Sequence, residues 1–286
     1  MKKRIRAVII TLTALVFLGS SAMVAYQHYQ YYLGEQAYAQ AEELAGMPDL
    51  AAIETQMELP FVDPDVLPEV PVPLAGTPGE SAAQTEPEES EPVVWVDPYA
   101  EALAAMDFKA LQQVNGDVLG WILIPGTPVS YPLVQGEDND EYLDTTWRGS
   151  RSSVGSIFLE CRNSRDLSDF NTMIYGHRTQ NRSMFGSLKD YASQDYWQEH
   201  PCLYITDESG CSTYRVFAAY EVEVTGLTYR LGFEDDTDKQ EFLDFCTAQS
   251  VIRTGIVPTA EDRIVTLSTC TGFGHDTRWV VQAVRS

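Results

Sequence analysis

From residue 118 to the end of the chain, short apolar runs alternate with turn signals, and this punctuation restricts the possible folds more than any other feature. The runs cover 118–124, 131–134, 156–159, 172–175, 203–206, 214–224, 263–269 and 278–284. Pro125-Gly126, Gly136, Glu208-Ser209-Gly210 and Gly272-Phe273-Gly274 stand between them. Apolar runs this short, bounded by residues that supply tight turns, read as strands. Many short strands so punctuated predict a barrel or a sandwich. Three helices complete the expectation. Residues 100–114 put Leu103, Met106, Phe108, Leu111 and Val114 on one helical face, and Asn115-Gly116 closes it. A short helix is expected at 185–191 and a longer one at 238–250, opened by Thr237-Asp238-Lys239-Gln240 in the form of a capping box.

The chain ahead of these strands divides by composition. Residues 1–6 carry Lys2, Lys3, Arg4 and Arg6, and residues 7–26 follow without a charge. Twenty helical residues span about 30 Å, the thickness of a bilayer core. The basic cluster predicts a cytoplasmic N-terminus with everything after Tyr26 outside, so the chain is expected to be a single-pass membrane protein. A cleaved signal peptide is the competing reading, but the apolar run is longer than an ordinary signal core and lacks a clean cleavage site. Residues 27–92 read as a juxtamembrane helix followed by a linker. Between residues 35 and 98 there are fifteen Asp or Glu, ten Pro and no Lys or Arg, a mixture that reads as a self-repelling tether. Residues 93–286 then form the one globular domain.

That domain remains acidic, within a chain of net charge −23. Nucleic acid is excluded as a partner, since its phosphates would be repelled. No cofactor or metal is expected. The acidic stretches 137–141 and 234–238 lack EF-hand spacing and its turn glycine, and they read as capping and solvated-loop carboxylates. None of the five cysteines, Cys161, Cys202, Cys211, Cys246 and Cys270, has C-x-x-C spacing. Cys202 and Cys211 flank an expected hairpin in which neither stands opposite the other.

Cys270 ends the run Thr266-Leu267-Ser268-Thr269-Cys270. A thiol of ordinary acidity is only a few per cent ionised at neutral pH, so a catalytic cysteine needs a base or a cation nearby. His28 abuts the membrane and His200 lies in a turn, which leaves His177, after a strand, and His275, near Cys270, as candidate bases. Spacing alone favours His177 only slightly, since Gly272-Phe273-Gly274 could carry the His275 side chain away from the thiol. Arg278 opens the last apolar run, and an antiparallel return would bring its guanidinium beside Cys270, where it could hold an oxyanion or pair with a carboxylate.

In order along the chain, these residues resemble a known family. Thr266 to Cys270 resembles the TLxTC signature of sortases, the cysteine transpeptidases of Gram-positive cell surfaces, with Arg278 where their active-site arginine is expected. Gly120-Trp121-Ile122, Tyr131-Pro132-Leu133-Val134-Gln135-Gly136, Gly155-Ser156-Ile157-Phe158, Tyr175-Gly176-His177 and Met184-Phe185-Gly186-Ser187-Leu188 are similar to class B members. The resemblance implies an α+β fold, an eight-stranded β-barrel with N-terminal helices and one helix before the cysteine strand. It implies Cys270 as nucleophile, His177 rather than His275 as general acid and base, and Arg278 as oxyanion stabiliser, with Ser268 and Thr269 as substrate-groove candidates. The implied partners are the C-terminal sorting peptide of a secreted protein, cleaved after Thr, and an amine acceptor from peptidoglycan precursor or pilin. L,D-transpeptidases and papain-like peptidases order their residues differently, and a silent wall-peptide scaffold would not need the complete set.

Overall fold

A computed structural model of the chain describes residues 2–56, 97–270 and 276–286. Its centre is a closed barrel of eight strands: β1 Val118–Leu123, β2 Ser130–Val134, β3 Ile157–Leu159, β4 Asn171–Tyr175, β5 Cys202–Asp207, β6 Gly210–Glu223, β7 Ile264–Cys270 and β8 Thr277–Arg285. They close in the order β1-β2-β3-β4-β7-β8-β6-β5. Two neighbouring pairs, β2 with β3 and β4 with β7, run parallel, and the rest are antiparallel. The eight expected runs are the eight strands, with ends moved by a few residues.

Alternation along β7 and β8 decides which side chains face which way. Val265 and Leu267, with Trp279, Val281 and Ala283, join Trp121, Leu133 and Leu203 in the main core. Ile264 and Val280 belong instead to an outer cluster with Phe242, Leu243 and Cys246 of α6 Asp236–Gln249. One face of these strands therefore fills the barrel, and the other is covered by α6 and the segment leading into it.

A chain of polar groups ties that segment down. Asn171, fully buried, donates to the carbonyls of Thr228 and Arg230 and accepts from Thr266 Oγ1. Gln282 donates to Thr266 Oγ1, and Tyr220 joins Gln282 to Thr228. Each buried polar group finds a partner, so the network specifies one placement of the 3-10 turn Leu227–Tyr229 over the sheet.

The helices differ from expectation in three places. The single helix expected at 100–114 is two, α3 Pro98–Ala104 and α4 Phe108–Val114, because Asp107 caps the second by accepting from the Ala110 N–H at 3.0 Å. The short helix expected at 185–191 is a 3-10 turn, Leu188–Ala192, followed by a helix that sequence reading missed, α5 Gln194–Glu199. The cap of α6 is Asp235, which accepts from Asp238 N–H at 2.9 Å, not Thr237 of the expected capping box. Asp238 takes both ends of the Arg230 guanidinium.

The largest difference lies at the N-terminus. Helix α1, Lys2–Ala45, runs unbroken through the uncharged stretch and beyond it, with α2 Leu50–Gln56 after it. It contains a segment long and apolar enough to cross a membrane, with none of that window buried against the protein. Past it, Gln30, Gly34, Tyr38, Ala41 and Ala45 form a buried stripe at helical spacing. Tyr38 OH donates to Gly155 O at 2.5 Å, Trp147 Nε1 to Ala37 O at 2.7 Å, and Asp107 N to Ala45 O at 2.9 Å. The juxtamembrane helix expected to continue over residues 36–44 is therefore present, but docked on the domain rather than part of a free tether, and α2 stands within residues 47–92, the stretch expected to be extended linker. The remainder of the expected linker, residues 57–92, lies outside the described residues.

Candidate active site

Cys270 is the last residue of β7, and the antiparallel ladder from Ile264↔Val284 sets it opposite Arg278 of β8. Both follow the outward parity of Thr266 and Ser268, facing the side covered by the Leu227–Tyr229 turn. Tyr229 OH bonds Ser268 Oγ at 2.9 Å. Burial pushes the Tyr229 hydroxyl's pKa up, as does Cys270, whereas the Ser268 bond and the Arg278 charge work downward. Tyr229, which sequence reading missed, thus sits within electrostatic reach of both Cys270 and Arg278. One donor of Arg278, Nη1, bonds Thr277 O at 3.0 Å.

His177 arrives from the other side. It follows β4, which lies parallel to β7 with Tyr175 beside Ser268. Gly176 makes the path possible: a Cβ there would fall 2.4 Å from Ile157 Cδ1 and 2.7 Å from Phe185 Cδ2. The imidazole Nε2 meets Leu143 O at 2.5 Å. A carbonyl only accepts, so that bond keeps a proton on Nε2 and turns Nδ1 to other uses. This partner is a backbone atom and left no mark in the sequence. The competitor His275 lies outside the described residues, as does Gly272-Phe273-Gly274.

Cys270 and His177 line one cleft of about 800 Å3. Arg178, Arg182 and Lys189 also line it, with Asp190 paired to Arg182, so the cleft is locally cationic in a strongly acidic chain. Of the two groove candidates, neither is among the lining residues. Ser268 is buried and bonded to Tyr229. Thr269 takes the inward parity, and its buried hydroxyl has no partner among the described residues. Odd and even positions of a strand cannot share a face, so Thr269 is separated from the cysteine by geometry.

Three of the other four thiols have raised pKa values. Burial, followed by the charge of Asp97, pushes Cys211 up to about 12, and burial pushes Cys246 up to about 11. Cys161 is raised by desolvation and by neighbouring Glu160. Cys211 stands opposite Thr206 and Cys202 opposite Arg215, the offset expected of that hairpin.

Comparison with known proteins bears on the family and the fold. The sortase domain family model matches residues 122–286. Sortase B of Staphylococcus aureus is 37% identical over 163 residues, covering 57% of this chain and 67% of that protein. Sortase B of Listeria monocytogenes is 37% identical over 166 residues, with the same coverage. Among solved structures, the Staphylococcus aureus sortase B–substrate complex superposes with a TM-score of 0.60 at 35% identity, covering 63% of this chain and 84% of that one. Sortase B from Bacillus anthracis in complex with AAEK1 gives 0.58 at 37% identity, covering 62% and 83%. With its closed eight-stranded barrel and a cysteine ending the seventh strand, the chain belongs to the sortase family of cysteine transpeptidases and is similar to its class B members.

Proposed function

We propose that this transpeptidase is anchored in the membrane by residues 7–26, with its catalytic domain outside the cell. In this reading it cleaves an NPxT-like sorting signal of secreted proteins after Thr. The Cys270 thiol passes its proton to Nδ1 of His177, and the sulfur attacks the Thr carbonyl carbon while the carbonyl π electrons move onto oxygen. Arg278, opposite Cys270 in the ladder, stabilises that oxyanion. His177 gives a proton from Nδ1 to the departing amide nitrogen, leaving a thioester on Cys270 and releasing the C-terminal fragment. An amine of peptidoglycan precursor or pilin then attacks the thioester. The amine gives a proton to Nδ1 of His177, the Cys270 thiolate leaves as the new amide forms, and Nδ1 returns that proton to the sulfur.

The observation that carries this reading is that Cys270 and His177 open onto one cleft with the Nε2 proton of His177 held by Leu143 O. An imidazole fixed in that tautomer presents one nitrogen for proton exchange and need not reorient between the two half-reactions. Arg278 supports it by its place opposite Cys270 in the ladder, although it is not among the residues that line the cleft and its Nη1 is bonded to Thr277 O. Ser268 and Thr269 are left supporting roles in the strand: Ser268 positions Tyr229, and Thr269 faces inward.

The test uses the full chain in mild detergent with quenched peptides of NPxT and LPxT type and an amine donor. Cleavage is expected with NPxT peptides, together with a thioester mass adduct on Cys270. Turnover that survives Cys270→Ala would refute the assignment.

A further inference from the structure

The catalytic cleft has a wall that does not come from the barrel. Gln27 and Tyr31 of α1 line it together with His177 and Cys270. These two residues sit one helical turn apart, and Gln27 Nε2 reaches Tyr31 OH at 3.4 Å. They are held there by the docking of the turns that follow. Gln30 is buried, and Ser152 Oγ donates to its carbonyl at 3.4 Å. Gly34 lets the helix approach closely, since a Cβ would fall 2.5 Å from Val154 Cγ2. The loop that receives α1 also carries Gly155, where a Cβ would fall 2.8 Å from His177 Cδ2. One loop is therefore packed between the anchor helix and the imidazole.

We infer that Tyr31 and Gln27 are specificity-determining residues, forming the wall of the cleft against which an extended donor peptide lies. The inference rests on the assignment of this cleft to acyl transfer. Tyr31 offers a flat apolar face with a hydroxyl at its edge, and Gln27 offers both an amide donor and an acceptor. These are groups that match the backbone and small side chains of an extended peptide, whose amides need partners once water is displaced. Position adds a second constraint. Tyr31 lies five residues beyond Tyr26, a helical rise of about 7.5 Å. A helix that leaves the bilayer at Tyr26 brings this wall to the headgroup layer, so the bound peptide runs close to the membrane surface.

The test keeps the full chain, reconstituted in phosphatidylglycerol-containing nanodiscs, and reads steady-state cleavage and thiol access separately. Tyr31→Ala is expected to raise KM for the donor peptide about tenfold while kcat stays within about twofold, the pattern of lost uniform binding. Gln27→Ala is expected to move KM in the same direction by a smaller factor. Tyr32→Ala is the control, since Tyr32 is 55% exposed and does not line the cleft. Thiol access needs no substrate: the alkylation rate of Cys270 by a bulky maleimide, divided by that with iodoacetamide, is expected to rise several-fold in Tyr31→Ala. An unchanged KM, or a fall in kcat with KM unmoved, overturns the inference. If the wild type turns over no peptide in the panel, the alkylation ratio decides, and an unchanged ratio overturns it. Cleavage surviving in Cys270→Ala removes the acyl-transfer reading itself, which is a separate outcome from any behaviour of Tyr31.

Discussion

Glu160, just past β3, offers a quantitative test of how β4, the strand that leads to His177, is held. Its side chain is 1% exposed and accepts from Arg162 Nε at 2.6 Å, Asn139 Nδ2 at 2.8 Å and Tyr175 OH at 3.0 Å. Burial works to raise its pKa, and those three donors outweigh burial, bringing it down from 4.5 to about 2. A carboxylate more acidic in the folded than in the unfolded chain adds stability above its unfolded value. That stability is lost as the pH falls through the folded value. The window here is pH 4.5 down to 2. The full difference corresponds to about 3 kcal/mol at neutral pH. Arg162 is 68% exposed, so solvent screens its share and about 2 kcal/mol is the working figure. Glu160→Gln keeps the shape and removes the charge. At pH 7 it is expected to lower Tm by about 4–8 °C, on the scale of a domain of this size. The gap between variant and wild type then narrows below pH 4.5 and nearly closes by pH 2. Thermal melts of the two proteins at about pH 7, 4 and 2.5, followed by circular dichroism, make the measurement. An equal Tm difference at all three pH values, or none at pH 7, would refute the reasoning.

Two further outcomes follow from the site. Iodoacetamide at pH 7 is expected to modify Cys270 well before Cys161, Cys211 or Cys246, whose pKa values are raised by burial and, for Cys161 and Cys211, by nearby carboxylates as well; peptide mapping after brief labelling reads this directly. Gly176→Ala forces a methyl group against Ile157 and Phe185 and is expected to cost about 1–3 kcal/mol of stability, with a fall in kcat as the backbone before His177 shifts; melting and steady-state kinetics read the two effects.

The barrel was legible because its strands carry their apolar residues in runs of strand length, with Gly and Pro marking the turns. The Cys270 and Arg278 pairing was legible for the same reason, since two runs joined by a short connection return antiparallel. Parity along β7 is itself a property of the sequence, and it is enough to put Ser268 and Thr269 on opposite faces. The helix break at residues 105–107 was missed because Asp107 reads as an ordinary polar position until its capping bond is visible. The docking of α1 left a weaker trace. Its buried stripe is built from Gln30, Gly34, Tyr38, Ala41 and Ala45, small or polar residues that contribute little hydropathy, and it merges into a composition dominated by Glu and Pro. The carbonyl of Leu143 could not be found at all, because any residue supplies the same atom.

The register of β7 with β8 sets Cys270 opposite Arg278 through a ladder that runs back to Ile264 and Val284. Their relation is therefore held by the whole ladder of seven paired positions rather than by the side chains that join the strands. Exchanges of side chain in that connection that keep its length leave Cys270 and Arg278 facing each other.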